Sequence, residues 1–243
     1  MRLCTLIAAL LCAGTALAAP PDVNQVNGAI TIEASQQAGN LTTVNGSIRI
    51  GDRSSAGEVH TVNGGITLGN ATTVASLHSV NGTITLGDGS ASGSATTVNG
   101  AIHLGGHGRI AGPLSTVNGA VTLGPAADVA GRVTTVNGAV QVNAAHVGGG
   151  IETVAHDIDI GANSRVEGGI LVRKHDESWL ETWIRQWFPE HNPPPRIVVG
   201  PGAVVTGRLQ FQCEVKLYVS ARASIGTVEG ATAIVFSGEQ PPA

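Results

Sequence analysis

Apolar and polar residues along most of this chain follow a pattern with an 18-residue period. Seven exact copies of the tripeptide Val-Asn-Gly are followed by a degenerate eighth copy, Val154-Ala155-His156. The exact copies start at Val26, Val44, Val62, Val80, Val98, Val117 and Val136, and the intervals between them are 18, 18, 18, 18, 19 and 19. Self-similarity at a fixed period is the signature of a repeat architecture, in which each unit buries its apolar face by stacking on its neighbours.

Within each repeat, apolar residues alternate with polar ones, and this period of two predicts β-strands rather than helices. The fourth residue after the tripeptide's valine is aliphatic, at Ile30, Ile48, Ile66, Ile84, Ile102, Val121, Val140 and Ile158. The sixth is also aliphatic, at Ile32, Ile50, Leu68, Leu86, Leu104, Leu123, Val142 and Ile160. Further aliphatic residues recur near the twelfth position and at the third position before the next valine. Apolar positions therefore return about every sixth position, which predicts three short sides per coil.

The repeat predicts an all-β fold, a three-sided β-solenoid (β-helix) with 18-residue coils. Coils stacked about 4.8 Å apart would bury one column of Val, Ile and Leu. We expect the tripeptide valines, such as Val44, Val62 and Val80, to align along the solenoid axis. Eight coils and two more after an interruption would form a rod roughly 48 Å long. The extra residue of the 19-residue coils is expected at a corner, within 110–114 and 129–133, where a coil can bulge outward.

The Asn-Gly pair in every tripeptide is a strong turn signal, because both residues tolerate positive φ. Asparagines repeated in register predict a structural ladder, with side-chain amide hydrogen bonds from coil to coil. Its members would be Asn27, Asn45, Asn63, Asn81, Asn99, Asn118 and Asn137. This structural role is sufficient to explain the motif without a ligand.

A threonine or serine precedes each tripeptide and, if exposed, would form a regular Thr-x-Asn array on one face. These residues are Thr43, Thr61, Ser79, Thr97, Thr116, Thr135 and Thr153. Ice-binding solenoids resemble this pattern in presenting flat threonine rows, so ice or crystal binding is one alternative. The other is that threonine simply favours exposed strand positions.

The repeat is interrupted over residues 173–196, where the composition changes completely and all three tryptophans occur. Six apolar residues at helical spacing form one stripe, Trp179, Leu180, Trp183, Ile184, Trp187 and Phe188. Ser178 and Glu181 fit a capping box, and Pro189 would end the helix. We therefore predict a short amphipathic helix insertion, which either packs on the side of the rod or serves as a partner-binding element. The mixed charges around it are not typical of a membrane-surface helix.

The chain begins with a predicted signal peptide over residues 1–18. Arg2 precedes an apolar run, and Ala16-Leu17-Ala18 fits the small-x-small cleavage pattern. We therefore expect an exported protein, periplasmic or secreted, without a transmembrane segment in the mature chain. The remaining segments are solenoid repeats over 23–172, the helix insertion and Pro-rich linker over 173–196, final coils over 197–236 and a tail over 237–243.

Composition and charge narrow the classes of partner. The chain has 34 glycines and only 3% aromatic residues, which suits thin stacked β layers rather than an aromatic core. Removing Arg2 from the 13 basic residues would leave 12 against 17 acidic ones, a net charge of about −5. This charge gives no reason to expect nucleic acid as a partner. Cys213 would be the one cysteine of the mature chain and is expected to be a small buried residue.

Acidic pairs are the first candidates for catalytic chemistry. Asp157 and Asp159 point the same way in a strand, and Glu152 and Arg165 are near in sequence. Enzymes that cleave polysaccharides on β-helices use paired carboxylates or carboxylate–arginine sets. A lone acidic pair on an outer face is usually solvated, so no catalytic residue is assigned.

Histidines are the second candidates. His60 and His78 are one repeat period apart and are expected to stack in one column. Zinc sites require three or four converging ligands. We therefore assign no metal site, no cofactor-binding residue and no cofactor.

The stretch Val199-Gly200-Pro201-Gly202-Ala203-Val204-Val205-Thr206-Gly207 is similar to the coils of bactofilins, the polymer-forming bacterial cytoskeletal proteins. This resemblance implies head-to-tail filaments and no nucleotide cofactor. The repeat Val-Asn-Gly-x-Ile-x-Leu-Gly also resembles the β-solenoid adhesin domains of exported bacterial proteins. The six-residue rhythm is similar to that of hexapeptide-repeat acyltransferases and related carbonic anhydrases.

Three functions follow from these patterns. The first is a non-enzymatic, exported structural protein that polymerises or scaffolds the cell envelope through self-association. The alternative is an adhesin or binding module for an envelope protein or polysaccharide, using the solenoid face or the tryptophan helix. A lower-ranked alternative is a hexapeptide-like or polysaccharide-active enzyme.

Overall fold

The computed structural model describes residues 20–154, 156–174 and 194–242 of the chain. These residues form an all-β parallel solenoid of about eleven turns, and no helix occurs among them. The predicted solenoid is therefore confirmed. The predicted signal peptide and the predicted helix lie outside the described residues, and so do the partner-binding candidates Trp179, Leu180, Trp183, Ile184, Trp187 and Phe188.

The strands stack in three ladders that run along the solenoid. The first ladder contains β1 (Val23–Asn27), β3 (Leu41–Asn45), β5 (Ser55–Asn63), β7 (Thr73–Asn81), β10 (Ala95–Asn99), β13 (Leu114–Asn118), β16 (Val133–Asn137), β19 (Ile151–Val154), β22 (Ile170–Arg173), β25 (Leu209–Phe211) and β28 (Val228–Glu229). The second contains β2 (Ile30–Ile32), β4 (Ile48–Ile50), β6 (Ile66–Leu68), β8 (Ile84–Leu86), β11 (Ile102–Leu104), β14 (Val121–Leu123), β17 (Val140–Val142), β20 (Ile158–Ile160), β23 (Arg196–Val199), β26 (Lys216–Ser220) and β29 (Ala233–Phe236). The third contains β9 (Ala91–Ser92), β12 (Arg109–Ile110), β15 (Asp128–Val129), β18 (His146–Val147), β21 (Arg165–Val166), β24 (Val204–Val205) and β27 (Ser224–Ile225). The longer strands β5 and β7 run from the third ladder into the first.

The strand register follows the sequence repeat. In the first ladder Ala95 pairs with Leu114, whereas in the third ladder Ala91 pairs with Arg109, and the first pair is one residue further apart in the sequence than the second. The extra residue of this coil therefore lies between Ile110 and Leu114, at the predicted corner. Because the extra residue lies at a corner, the strands on both sides of it keep their pairing, and their inward residues stay inward.

The insertion lies within one turn rather than between two turns. Strand β22 ends at Arg173 and pairs with β19 and β25 in the first ladder. Strand β23 begins at Arg196 and pairs with β20 and β26 in the second ladder. The structure has about eleven turns, whereas the sequence predicts eight coils plus two. The missing turn is the one that contains the insertion, because its two halves are far apart in the sequence. Asp157 Oδ1 accepts a hydrogen bond from the Arg196 backbone N–H over 2.7 Å, where the chain rejoins the solenoid.

Aliphatic side chains fill the interior and stack from turn to turn. The largest fully buried ones are Leu41, Ile48, Ile50, Ile66, Leu77, Ile84, Leu86, Ile102, Ile110, Leu114, Leu123 and Ile151. Pairing of β4, β6 and β8 keeps Ile48, Ile66 and Ile84 in one column of the second ladder. Because one coil alone leaves this face open, burial between coils supplies the main stabilisation, roughly 1.5–3 kcal/mol per large aliphatic side chain.

The valines of the tripeptide align along the solenoid as expected, and their side chains face outward. Val44 and Val98 are each 37% exposed, whereas Thr43 and Thr61, which precede tripeptide valines, are fully buried. Strand residues alternate between two faces, so with Leu41 inside, Thr43 is inside and Val44 is outside. The valines still stack from coil to coil, because the residues on either side of them pair in register.

Candidate functional site

Asparagines at the corner after the first ladder form a continuous ladder of side-chain hydrogen bonds. Each Nδ2 donates to the Oδ1 of the asparagine one coil earlier, over 2.7–3.0 Å. The members are Asn27, Asn45, Asn63, Asn81, Asn99, Asn118 and Asn137. All of them are exposed to solvent, so the ladder links successive coils along the surface.

The glycine after each asparagine is required by close contact between coils. A Cβ atom on Gly46 would overlap the carbonyl oxygen of Gly28, and one on Gly64 would overlap that of Gly46. Only a residue without a side chain allows the corners to stack this closely. The Asn-Gly pair therefore has a structural role: the asparagine links successive coils and the glycine lets their corners stack.

The threonine row before the tripeptide is buried, so the expectation of an exposed Thr-x-Asn array is wrong. Thr61 Oγ1 donates a hydrogen bond to the Gly46 carbonyl oxygen over 3.0 Å, and Thr97 Oγ1 donates to that of Gly82 over 3.0 Å. These bonds satisfy the hydroxyls of Thr61 and Thr97, which removes the cost of burying them. Threonines in this row cannot present hydroxyls to an ice or crystal surface.

An outward surface formed by the first seven strands of the first ladder carries two rows of side chains, and we call it the valine face. One of its two rows consists of Val26, Val44, Val62, Val80, Val98, Val117 and Val136. The other consists of Asn24, Thr42, His60, His78, Thr96, Ser115 and Thr134. Neither row contains a Lys, Arg, Asp or Glu side chain, so this surface offers methyl, hydroxyl and imidazole groups.

His60 and His78 are register partners in adjacent turns of the valine face. Their ring centroids lie 6.4 Å apart, and the ring planes are inclined by 40°. The structure therefore brings together the two histidines that the repeat period places in one column. In the part of the chain that the structure describes, His, Cys, Asp and Glu side chains form no group of three or more arranged to hold a metal ion.

Beyond the valine face, Glu152 continues the row of Thr134 and is held between two arginines. Glu152 Oε2 lies 2.8 Å from Arg132 Nη1, and Glu152 Oε1 lies 2.6 Å from Arg173 Nε. The Glu152 side chain is only 13% exposed, so this ion pair is shielded from solvent more than a typical surface pair. Sequence reasoning missed the cluster because Arg132 and Arg173 lie at corners and strand ends rather than in the Glu152 column.

A second polar cluster lies on the outer side of the third ladder. His146 Nδ1 lies 2.6 Å from Asp128 Oδ1, and His146 Nε2 lies 3.5 Å from Glu167 Oε1. Arg165 Nε donates a hydrogen bond to Glu167 Oε1 over 2.8 Å. This bond is the largest cause that holds the pKa of Glu167 below its ordinary value, and the positive charge of Arg165 adds to it. The signal for this cluster in the sequence is the coil spacing of Asp128, His146 and Arg165.

The acidic pair that the sequence singled out does not form a carboxylate–arginine set with its sequence neighbours. Asp159 lies in the second ladder, whereas Glu152 lies in the first and Arg165 in the third. Partial desolvation raises the pKa of Asp159, and the positive charge of Arg196 opposes this effect. Asp157 serves the backbone of Arg196 instead. The four groups are therefore distributed around the solenoid.

The last turn that the structure describes leaves an inward residue of the solenoid exposed to solvent. Val235 pairs with Val219, which is 5% exposed in the interior, yet Val235 itself is 67% exposed. Its neighbour Ile234 lies on the opposite side of the strand and is 46% exposed. Glu239 and Gln240 line a depression that also contains Arg222 of the preceding turn. An inward apolar residue thus faces solvent at this end.

Cys213 is a free thiol that packs partly buried against the core. Burial raises its pKa, and the Lys174 charge opposes this effect. A raised pKa disfavours the reactive thiolate, which is consistent with the packing role expected from the sequence.

No family model, curated protein or solved structure matches this chain. Residues 20–154, 156–174 and 194–242 contain no helix that is long and apolar enough to cross a bilayer. The function is therefore argued from the geometry of the chain itself.

Proposed function

We propose that this protein is an exported, non-enzymatic structural β-solenoid that associates end to end with further copies of itself in the cell envelope. The observation that carries this proposal is the open last turn, with its exposed inward residue Val235. Export rests on the sequence of residues 1–18. We also infer a three-sided cross-section from the three ladders.

Both ends of the described solenoid have strand edges that no described strand covers. Strand β28 pairs with β25, and β29 pairs with β26, so their outer edges are open. Among the described residues, strand β1 pairs with β3 and strand β2 pairs with β4, on one side each. Open edges present backbone N–H and C=O groups that a further strand can bond. Such edges favour addition of another coil.

The first turn of a second copy would continue the second ladder in register. Counting along the ladder places Ile32 of the second copy over Val235. It places Ile30 over Ala233 in the neighbouring column. The contact would cover the exposed valine with an aliphatic side chain. Because the two surfaces of such a contact differ, it does not close and extends into a filament.

Lysine at position 235 tests the junction. Val235→Lys places a charge in the proposed contact. The variant should therefore stay monomeric at concentrations at which the wild-type protein assembles. Ile234→Lys is the matched control, because it adds the same charge to the same strand on the other side. Protein expressed from the full-length gene is compared by sedimentation velocity and negative-stain electron microscopy over a range of concentrations, with circular dichroism to confirm folding.

Two results would contradict the proposal. One is a wild-type protein that stays strictly monomeric at high concentration. The other is an equal loss of assembly in Val235→Lys and Ile234→Lys.

A second candidate function, an adhesin or binding module for envelope polysaccharide, is favoured by the valine face. This surface is exposed, repetitive and free of permanent charge over seven turns. Retention of purified envelope polysaccharide by the wild-type protein but not by Val98→Lys would support it. Equal retention by both proteins, or by neither, would remove it.

A further inference from the structure

We propose that His60 and His78 form a two-histidine binding site for a divalent transition-metal ion, with Cu²⁺ bound most tightly. The two imidazoles lie on adjacent strands, β5 and β7, and are direct register partners. Their ring centroids are 6.4 Å apart. His60 is exposed and His78 is partly exposed, so an ion can reach both rings from solvent.

The geometry suits an ion shared by two imidazole nitrogens. Each nitrogen of such a site lies about 2.0–2.1 Å from the ion. The present ring spacing is wider than a bent nitrogen–metal–nitrogen arrangement needs, so the rings must turn toward each other about their side-chain torsions when the ion binds. The backbones need not move, because inward neighbours Val59 and Leu77 are fully buried and paired. Two ligands held on a rigid sheet lose little conformational entropy on binding.

The ligand chemistry determines which ions fit. Imidazole nitrogen binds copper, nickel and zinc, and the affinity of a given nitrogen site for divalent ions is highest for Cu²⁺. Structural zinc sites use four protein ligands, whereas this site offers two and leaves the remaining positions to water. We therefore expect Cu²⁺ to bind more tightly than Ni²⁺ or Zn²⁺.

The surroundings of the pair favour a cation. The next residues in the same row are the neutral Thr42 and Thr96. Glu58 lies two residues before His60 in β5 and is exposed like His60, so the strand that carries the pair also carries a negative charge. Local charge therefore adds attraction for a positive ion rather than repulsion.

His146 offers a contrast. Its Nδ1 is already engaged by Asp128, and the Arg165 guanidinium belongs to the same cluster. The two carboxylates there, Asp128 and Glu167, already pair with His146 and Arg165, so a cation would compete with existing contacts. The stacked pair on the valine face is therefore the better cation site.

Copper titration of the protein without a polyhistidine tag tests the site. Isothermal titration calorimetry measures affinity, and electron paramagnetic resonance reports the nitrogen ligands of bound Cu²⁺. We expect coupling to two imidazole nitrogens in the wild-type protein. His60→Asn and His78→Asn should each weaken binding by at least about tenfold. His103→Asn is the matched control, because His103 is an exposed, outward histidine of β11 with threonines as its register partners.

Thermal unfolding gives a second readout. An ion that binds only the stacked coils stabilises them, so Cu²⁺ should raise the melting temperature of the wild-type protein and of His103→Asn. It should raise those of His60→Asn and His78→Asn much less. Equal copper affinity in all three variants, or a wild-type spectrum with one nitrogen ligand, would overturn the proposal.

Discussion

Thr61 donates its hydroxyl hydrogen to the carbonyl oxygen of Gly46, 3.0 Å away on the preceding coil. The bond recurs from Thr43 to Gly28 over 3.1 Å. The bond joins a strand residue to the glycine at the corner of the preceding coil. Threonine rather than valine lies inside the solenoid, because only threonine has a hydroxyl that can donate to this carbonyl. The tripeptide and the residue before it therefore act as one unit of coil-to-coil contact.

Replacing Thr61 by valine should destabilise the solenoid by about 1–3 kcal/mol, because the Gly46 carbonyl loses a buried partner while the side-chain volume hardly changes. Thr42→Val changes the same residue types on the outward side and should alter stability by less than about 0.5 kcal/mol. Urea unfolding followed by circular dichroism measures both. Similar effects of the two substitutions would show that the buried hydroxyl contributes nothing.

Gly64→Ala should destabilise the protein by more than about 2 kcal/mol, because the new Cβ would overlap the Gly46 carbonyl oxygen and force the corners apart. Gly89→Ala is the matched control at a different corner. Gly89 has open space around its Cβ position and a φ of +66°, and Ala71 and Ala126 adopt φ of 53° and 56° at equivalent corners. This control should cost about 1–2 kcal/mol, which is less than the cost of Gly64→Ala. Thermal melts of the two variants compare the effects, and equal melting temperatures would contradict the close-contact argument.

The repeat period predicts every contact between residues that share a position in consecutive coils. The pairing of His60 with His78 follows from it, and so does the hydrogen bond from Asn63 Nδ2 to Asn45 Oδ1. A parallel stack converts sequence spacing directly into spatial adjacency, so these contacts need no further information.

Contacts that depend on more than the repeat spacing cannot be predicted from the sequence pattern. A period of two shows that Thr43 and Val44 face opposite sides of the strand. Hydropathy alone would place the valine inside. In the structure the threonine is inside instead, where its hydroxyl donates a hydrogen bond to the Gly28 carbonyl oxygen. The approach of Arg132 and Arg173 to Glu152 depends on side-chain reach from neighbouring positions, which no repeat pattern encodes.

Asp159→Asn should raise the melting temperature near neutral pH. Partial desolvation raises the pKa of Asp159 in the folded protein, which means that folding disfavours its charged form. A raised pKa contributes stability below the unfolded-state value of about 3.9, and this contribution is lost as the pH rises through the folded-state value. The advantage of asparagine should therefore be largest near neutral pH and disappear in acid, which melts over a pH series would measure.

Glu167→Gln provides a control of opposite sign for Asp159→Asn. The hydrogen bond from Arg165 lowers the pKa of Glu167, so its charged form favours folding above the ordinary glutamate value. Glutamine should lower the melting temperature near neutral pH, with a difference that shrinks as the pH falls through the folded-state pKa. If both variants shift the melting temperature in the same direction at every pH, the assignment of opposite effects is wrong.

Glu152→Gln should destabilise the solenoid by about 1–3 kcal/mol, because it leaves the guanidinium groups of Arg132 and Arg173 without the carboxylate that both contact. Glu229→Gln is the matched control, because Glu229 is 47% exposed and has one arginine, Arg208, at 3.3 Å. An exposed single pair of this kind contributes about 0–1 kcal/mol and is screened by salt. Urea unfolding at low and high salt should show a persistent loss for Glu152→Gln and a smaller loss for Glu229→Gln that salt removes. Identical losses with identical salt dependence would mean that the near-burial of Glu152 does not strengthen its ion pairs.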